Sequence, residues 1–87
     1  MNWTYNNGIV TVPAVNRGGV LTINLKALQS GEAKAFFVGK YAKQAEEASQ
    51  WAVAAEIWEI GGMLEDAEAC RTIIAATEVG DQIRNEQ

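Results

Sequence analysis

The stretch that decides the fold runs Trp51-Ala52-Val53-Ala54-Ala55-Glu56-Ile57-Trp58, then Gly61-Gly62, then Glu65-Asp66-Ala67-Glu68-Ala69-Cys70-Arg71. Alanines alternate with large side chains at three- and four-residue steps, and the double glycine interrupts the pattern. Alanine lets two helix backbones approach, tryptophan fills the space that remains, and glycine stops one helix before the next begins. The spacing predicts a close-packed helical hairpin. Its first helix, over about 50–60, sets Trp51, Ala54, Ala55 and Trp58 on one face and Val53, Ile57 and Ile60 nearly opposite. Only Ala52, Glu56 and Glu59 are left for water, so this helix must be covered on two sides.

Working outward, the next helix, over about 63–79, carries Met63, Ala67, Cys70 and Ile74 as its apolar stripe, with Glu65, Glu68 and Thr72 pointing away. Gly80 reads as its stop and residues 81–87 as a frayed tail. On the other side a helix over about 32–48 shows the stripe Phe37, Tyr41, Ala45, Ala48, with Phe36 off it beside Lys40 and Lys43. Ser30 and Ser49 are placed to cap the first and second helices.

The first 25 residues have the two-residue period of strands. Asn7-Gly8 signals a type I′ hairpin, which sets Tyr5 opposite Val10, Trp3 opposite Val12 and Thr4 opposite Thr11. Pro13 ends the second strand or confines it to a sheet edge. Asn16-Arg17-Gly18-Gly19 offers a second turn, and Val20 to Leu25 alternates, with Leu21, Ile23 and Leu25 on one face. The expected fold is therefore α+β: an antiparallel β-meander of about three strands (1–25) followed by a three-helix unit (32–79), in a single domain of 87 residues.

The composition removes most chemistry. The chain has no histidine, and its single cysteine cannot close an internal disulfide, which points to a reducing, cytoplasmic setting. One cysteine among scattered carboxylates makes no zinc site, and neither glycine pair is followed by the lysine or serine of a phosphate loop. No enzyme activity, cofactor, metal or membrane span is expected. The net charge of −4 divides unevenly: residues 1–45 hold five basic residues and one acid, residues 46–87 two basic residues and ten acids. An acidic half of this kind either keeps the domain soluble or meets a basic protein partner, and it disfavours direct nucleic-acid binding. Cys70 reads as a buried thiol, and Trp51 and Trp58 as core anchors or contact residues. Phe36, Trp51, Val53, Ile57, Trp58, Glu65 and Glu68 are the candidate partner-binding residues. The two-sided helix over 50–60 further predicts a homodimer or a docked partner.

Ala45-Glu46, Trp51, Ala54-Ala55, Trp58 and Cys70-Arg71 resemble the ANR family, small negative regulators of AraC-type transcription activators in Gram-negative bacteria and their mobile elements. The resemblance covers about residues 41–74. The arm of residues 1–25 lies outside the family pattern, and Cys70 directly precedes Arg71 where the family has a wider gap. The resemblance implies a dimeric, non-enzymatic repressor that binds a transcription factor or nucleoid protein. The rival expectation is a bacteriophage or mobile-element inhibitor of a host enzyme or defence complex, whose acids Glu56, Glu59, Glu65 and Glu68 imitate a phosphate row.

Overall fold

Asn7 and Gly8 both take positive φ, 48° and 87°, and close a two-residue hairpin between β1 (Thr4–Asn6) and β2 (Ile9–Ala14). The register is the one this turn dictates, Tyr5 opposite Val10 and Thr4 opposite Thr11. Trp3 precedes β1 and has no partner in the ladder, so its expected pairing with Val12 is not formed. The computed structural model describes residues 2–14, 18–29 and 31–86, with side chains through residue 77. β3 (Gly19–Asn24) pairs antiparallel with β2 to complete a sheet of order β1-β2-β3. The expected turn at Asn16-Arg17 lies outside the described residues.

Pro13 sits within β2, a position the missing N–H usually forbids. Alternation of the ladder explains it. Leu25 N–H donates to the Gly8 carbonyl at 2.8 Å, which makes Ile9 and Asn24 a pair not bonded to each other. Counting along, Pro13 directs its nitrogen away from β3 toward the β1 side, and β1 begins only at Thr4, opposite Thr11. The proline lies where no partner strand needs a donor.

The alternating strand expected over Val20 to Leu25 stops one residue early. The Asn24 side chain accepts from the N–H groups of Lys26 (3.1 Å) and Ala27 (3.3 Å), folding Leu25–Ala27 into a 3-10 turn. Leu25 thereby leaves the sheet and becomes fully buried, whereas Leu21, expected on the same face, is exposed.

The three helices are α1 (Glu32–Glu47), α2 (Trp51–Ile60) and α3 (Leu64–Glu86), with α2 packed against both of the others and against the 3-10 turn. Half of their buried positions are alanine: Ala42 and Ala45 on α1, Ala54 and Ala55 on α2, Ala67 on α3. Val38, Tyr41, Ile57, Trp58 and Cys70 fill the rest, and Trp3, Val10 and Leu25 join the same cluster from the arm. One core thus serves both halves. The link is aromatic and polar together: Trp3 meets Tyr41 edge-on at 5.1 Å, and its Nε1–H donates to Gln44 Oε1 at 2.8 Å. Gly61 is required where α2 meets α1, since a Cβ there would stand 2.6 Å from a Val38 methyl.

Three expected helix ends differ. Ser30 lies outside the described residues, and Gly31 occupies the N-cap of α1 with no side-chain acceptor. Ser49 does not cap α2; it holds φ 59° in a left-handed reversal after α1. Ser49 N–H donates to the Glu46 carbonyl and Gln50 N–H to that of Ala45, the paired bonds of a Schellman motif. Gly62 repeats the motif after α2, with φ 75° and Met63 N–H bonded to the Trp58 carbonyl. Finally, α3 runs through Gly80 to Glu86. A glycine inside a helix costs only about 1 kcal/mol relative to alanine, and helix-forming neighbours override it.

The two reversals differ by one side chain, which gives a paired test. Ser49→Gly is expected to raise stability by about 1 kcal/mol, because only glycine occupies left-handed φ without penalty. Gly62→Ala, with no neighbour near its Cβ position, is expected to lower it by a similar amount. Thermal melts followed by circular dichroism measure both, as shifts of about 4–8 °C in opposite directions.

Candidate protein-docking surface

The candidate residues divide by burial. Ile57 and Trp58 are core residues, closed off from solvent by the chain itself, and Trp51 and Val53 are half-buried against the same core. With Ile57 buried and Ile60 packed on the cluster, α1, α3 and the 3-10 turn cover both sides of α2. The reason for expecting a dimer through α2 is removed. Phe36, Glu65 and Glu68 are exposed.

Phe36 stands at the end of an aromatic series. Trp3 contacts Tyr41, Tyr41 stacks on Phe37 at 6.5 Å with the rings 9° apart, and Phe37 meets Phe36 edge-on at 5.3 Å. Burial falls along the series from Trp3 in the core to Phe36, which is 62% exposed. Lys40 Nζ lies 6.0 Å from the Phe36 ring and 5.6 Å from that of Tyr41, within range of a weak cation–π attraction.

Glu65 and Glu68 occupy the first two turns of α3, and the same outward face carries Leu64, 64% exposed, with Thr72 a turn further on. Helical rotation of 100° per residue puts Leu64, Glu68, Thr72 and Glu65 within about 100° of each other. The acids also favour the helix they begin, since negative charge near an N-terminus is stabilised by the helix dipole. Phe36 lies on α1 and the Leu64/Glu65/Glu68 face on α3, the two helices that pack against α2.

The remaining acids are interrupted by bases. Glu59 on α2 forms an ion pair with Arg71 on α3, both side chains about half exposed. Lys26 and Arg71 share with Glu56 and Glu59 an open groove of about 600 Å³ floored by Ala55 and Ile60. Lys26 is itself held by Asn7 Oδ1 at 2.8 Å. Acids and bases therefore alternate between α2 and α3, unlike a phosphate row.

Three polar groups lie beneath this surface, and the first ties two helices together. Trp58 Nε1–H on α2 donates to Glu46 Oε2 on α1 at 3.3 Å. Cys70 on α3 is buried, and burial together with the nearby Glu46 and Asp66 carboxylates pushes its thiol above the ordinary value; Arg71 opposes this more weakly. The Tyr5 hydroxyl is buried without a hydrogen-bond partner, and burial followed by the Glu56 carboxylate raises its pKa well above the usual phenol range. Among the described residues no cluster of three acids or thiols is placed to hold a metal ion. No helix among them is long and apolar enough to cross a membrane.

No family model, no curated protein and no solved structure matches this chain. Its function must be argued from its own surface.

Sequence reasoning found Phe36, Glu65 and Glu68 through their place off the apolar stripes. It missed Leu64, whose signal is present in hindsight: Leu64 lies one residue outside the Met63/Ala67/Cys70/Ile74 stripe. The Cys70 environment gives a direct test. A thiol whose folded pKa is raised stays neutral below its unfolded value of about 8.5, and its contribution to stability is lost as pH rises through the folded value. At pH 8 the native protein is expected to react with a thiolate-selective reagent at least ~100-fold more slowly than the denatured chain. Native labelling at the denatured rate would place Cys70 at the surface.

Proposed function

We propose that this chain is a small, non-enzymatic regulatory module that acts by protein contact, as a negative regulator binding a transcription factor or nucleoid protein. The observation that carries the reading is Leu64, 64% exposed on an α3 face that it shares with Glu65, Glu68 and Thr72. An apolar anchor beside acids suits a partner with an apolar notch in a basic surface: charge speeds the encounter, and the desolvated side chain slows release. DNA-binding proteins expose such basic surfaces, and a cover over one of them blocks the DNA. The resemblance of residues 41–74 to the ANR family agrees with this class of partner, although the family's tryptophans correspond here to residues of the core.

Inhibition of a host enzyme by imitation of nucleic acid is less well supported. It needs acids in an unbroken row, and the Glu59–Arg71 pair and Lys26 break the row on α2.

A gel-shift assay with an AraC-type activator on its promoter DNA, and in parallel a nucleoid protein on the same DNA, tests the proposal. Added chain is expected to release one of the two from DNA while leaving naked DNA unshifted. The Glu65→Lys/Glu68→Lys double variant is expected to need at least ~10-fold more protein, and Leu64→Ala a similar excess, about 1.4 kcal/mol each. Leu64→Ala should melt as the parent does, because the side chain is exposed, whereas the double charge reversal should melt somewhat lower but still cooperatively, since it sets positive charge at the start of α3. Retention of both proteins on DNA at a large excess of chain would refute the proposal.

A further inference from the structure

The sheet has two edges, and they are unlike. β1 is three residues long, whereas β3 spans six, Gly19-Val20-Leu21-Thr22-Ile23-Asn24. Natural edges are blunted by charged side chains, proline, bulges or shortness. β3 has no charge and no proline, and it pairs with β2 without a break in register. Two of its three large apolar side chains are also uncovered, one on each face, Val20 at 66% and Leu21 at 55% exposure, while Ile23 packs against the core.

The ladder shows which groups face outward. Because Ile9 and Asn24 do not bond each other, the bonded pairs across β2 and β3 are Val10 with Ile23, Val12 with Leu21, and Ala14 with Gly19. The N–H and C=O groups of Val20, Thr22 and Asn24 therefore point away from β2 to the free edge. Among the described residues no backbone group meets those of Val20 or Thr22 on that side.

We propose that β3 is a self-pairing edge: two copies of the chain join β3 to β3 antiparallel, about a two-fold axis through Thr22, into one six-stranded sheet. In this register each Thr22 bonds the partner's Thr22, and each Val20 carbonyl accepts from the partner's Asn24 N–H, while the Asn24 carbonyl stays with the 3-10 turn. Leu21 falls opposite the partner's Ile23 on the face that also carries Val10, and apolar cross-strand pairs of this kind are favourable. A slip of one residue would place Leu21 opposite the partner's Thr22, on the other face.

A second copy is the fitting occupant for two reasons. An antiparallel edge is complementary to itself under a two-fold axis, each donor meeting the matching acceptor. The strand is also uncharged in a chain of net charge −4, so two copies meet here without opposing charges. The contact is limited in size. Five paired residues span about 17 Å, and a single strand pair of that length covers less than the roughly 1,600 Å² of a standard interface. The assembly is accordingly a concentration-dependent dimer in the micromolar range. It involves neither α2 nor the α3 face, so it stands apart from the proposed regulatory contact.

Light scattering across a concentration series tests the pairing. The protein is expected to pass from monomer to twice the monomer mass, and Leu21→Lys, which puts a charge on an exposed edge position, is expected to stay monomeric with an unchanged melting temperature. A Thr22→Cys variant is expected to form a covalent dimer under mild oxidation, and Val20→Cys is not, since two Val20 positions lie about four residues apart along the paired strands, near 14 Å. A monomeric mass up to about 1 mM, or a dimer that persists in Leu21→Lys, would overturn the proposal. Crosslinking through Val20→Cys and not Thr22→Cys would overturn its register.

Discussion

The close approach of α2 to its two neighbours is the constraint on which the rest of this structure depends. Five buried alanines make it possible, Ala42 and Ala45 on α1, Ala54 and Ala55 on α2, and Ala67 on α3. Gly61 extends the same requirement to the end of α2, where Val38 leaves no room for a Cβ. Dispersion between well-packed backbones is collectively large, but it is forfeited by gaps of half an ångström. A helix set this close has little tolerance for a bulkier residue or for a tilt. The two Schellman reversals, at Ser49 and Gly62, hold the chain to that geometry in turns of three residues each.

Alanine cores have a cost in burial. Each alanine removes far less apolar surface from water than a leucine, at roughly 25 cal/mol per Å², so the helical unit draws on a few large side chains. Trp58 supplies one, and its indole N–H is satisfied by Glu46 instead of being left orphaned. The arm supplies others. Trp3, Val10 and Leu25 enter the same cluster, and Trp3 is fastened both by the Tyr41 ring and by Gln44. The meander therefore acts as a third wall of the helical core, while Val20 and Leu21 of its outer strand are left without cover.

Much of the architecture was legible because it is written in local patterns. Asn7-Gly8 set the hairpin register, and the three- and four-residue steps of Trp51 to Trp58 set a helix in which Ala52, Glu56 and Glu59 alone are exposed. What escaped depends on contacts distant in sequence or on single backbone angles. Nothing near Trp3 announces Gln44, 41 residues away. Asn24 reads as one more polar strand residue until its side chain is seen turning the chain so that Leu25 can enter the core. Ser49 looks like an N-cap, but the carbonyls of Ala45 and Glu46 claim the N–H groups that follow and draw it into the left-handed region. For the surface, periodicity identified Phe36, Glu65 and Glu68 as outward-facing. It left open whether Ile57 and Trp58 are core or contact residues, because a helix apolar on two sides does not reveal whether its own chain or another covers it.

This arrangement separates support from contact: the motif that resembles a regulator family builds the core, and the exposed residues around it, Leu64, Glu65 and Glu68 on α3, are left free to meet a partner. The central physical claim is that α2 is held at a distance only alanine permits, and one comparison measures it. Ala54→Leu, at a fully buried position between helices, is expected to lose about 1–3 kcal/mol or more by denaturant unfolding. Ala52→Leu, two residues away on the exposed face of the same helix, is expected to change stability by less than about 0.5 kcal/mol. Equal tolerance of leucine at both positions would contradict the account, because it would mean that the helices are not packed to alanine spacing.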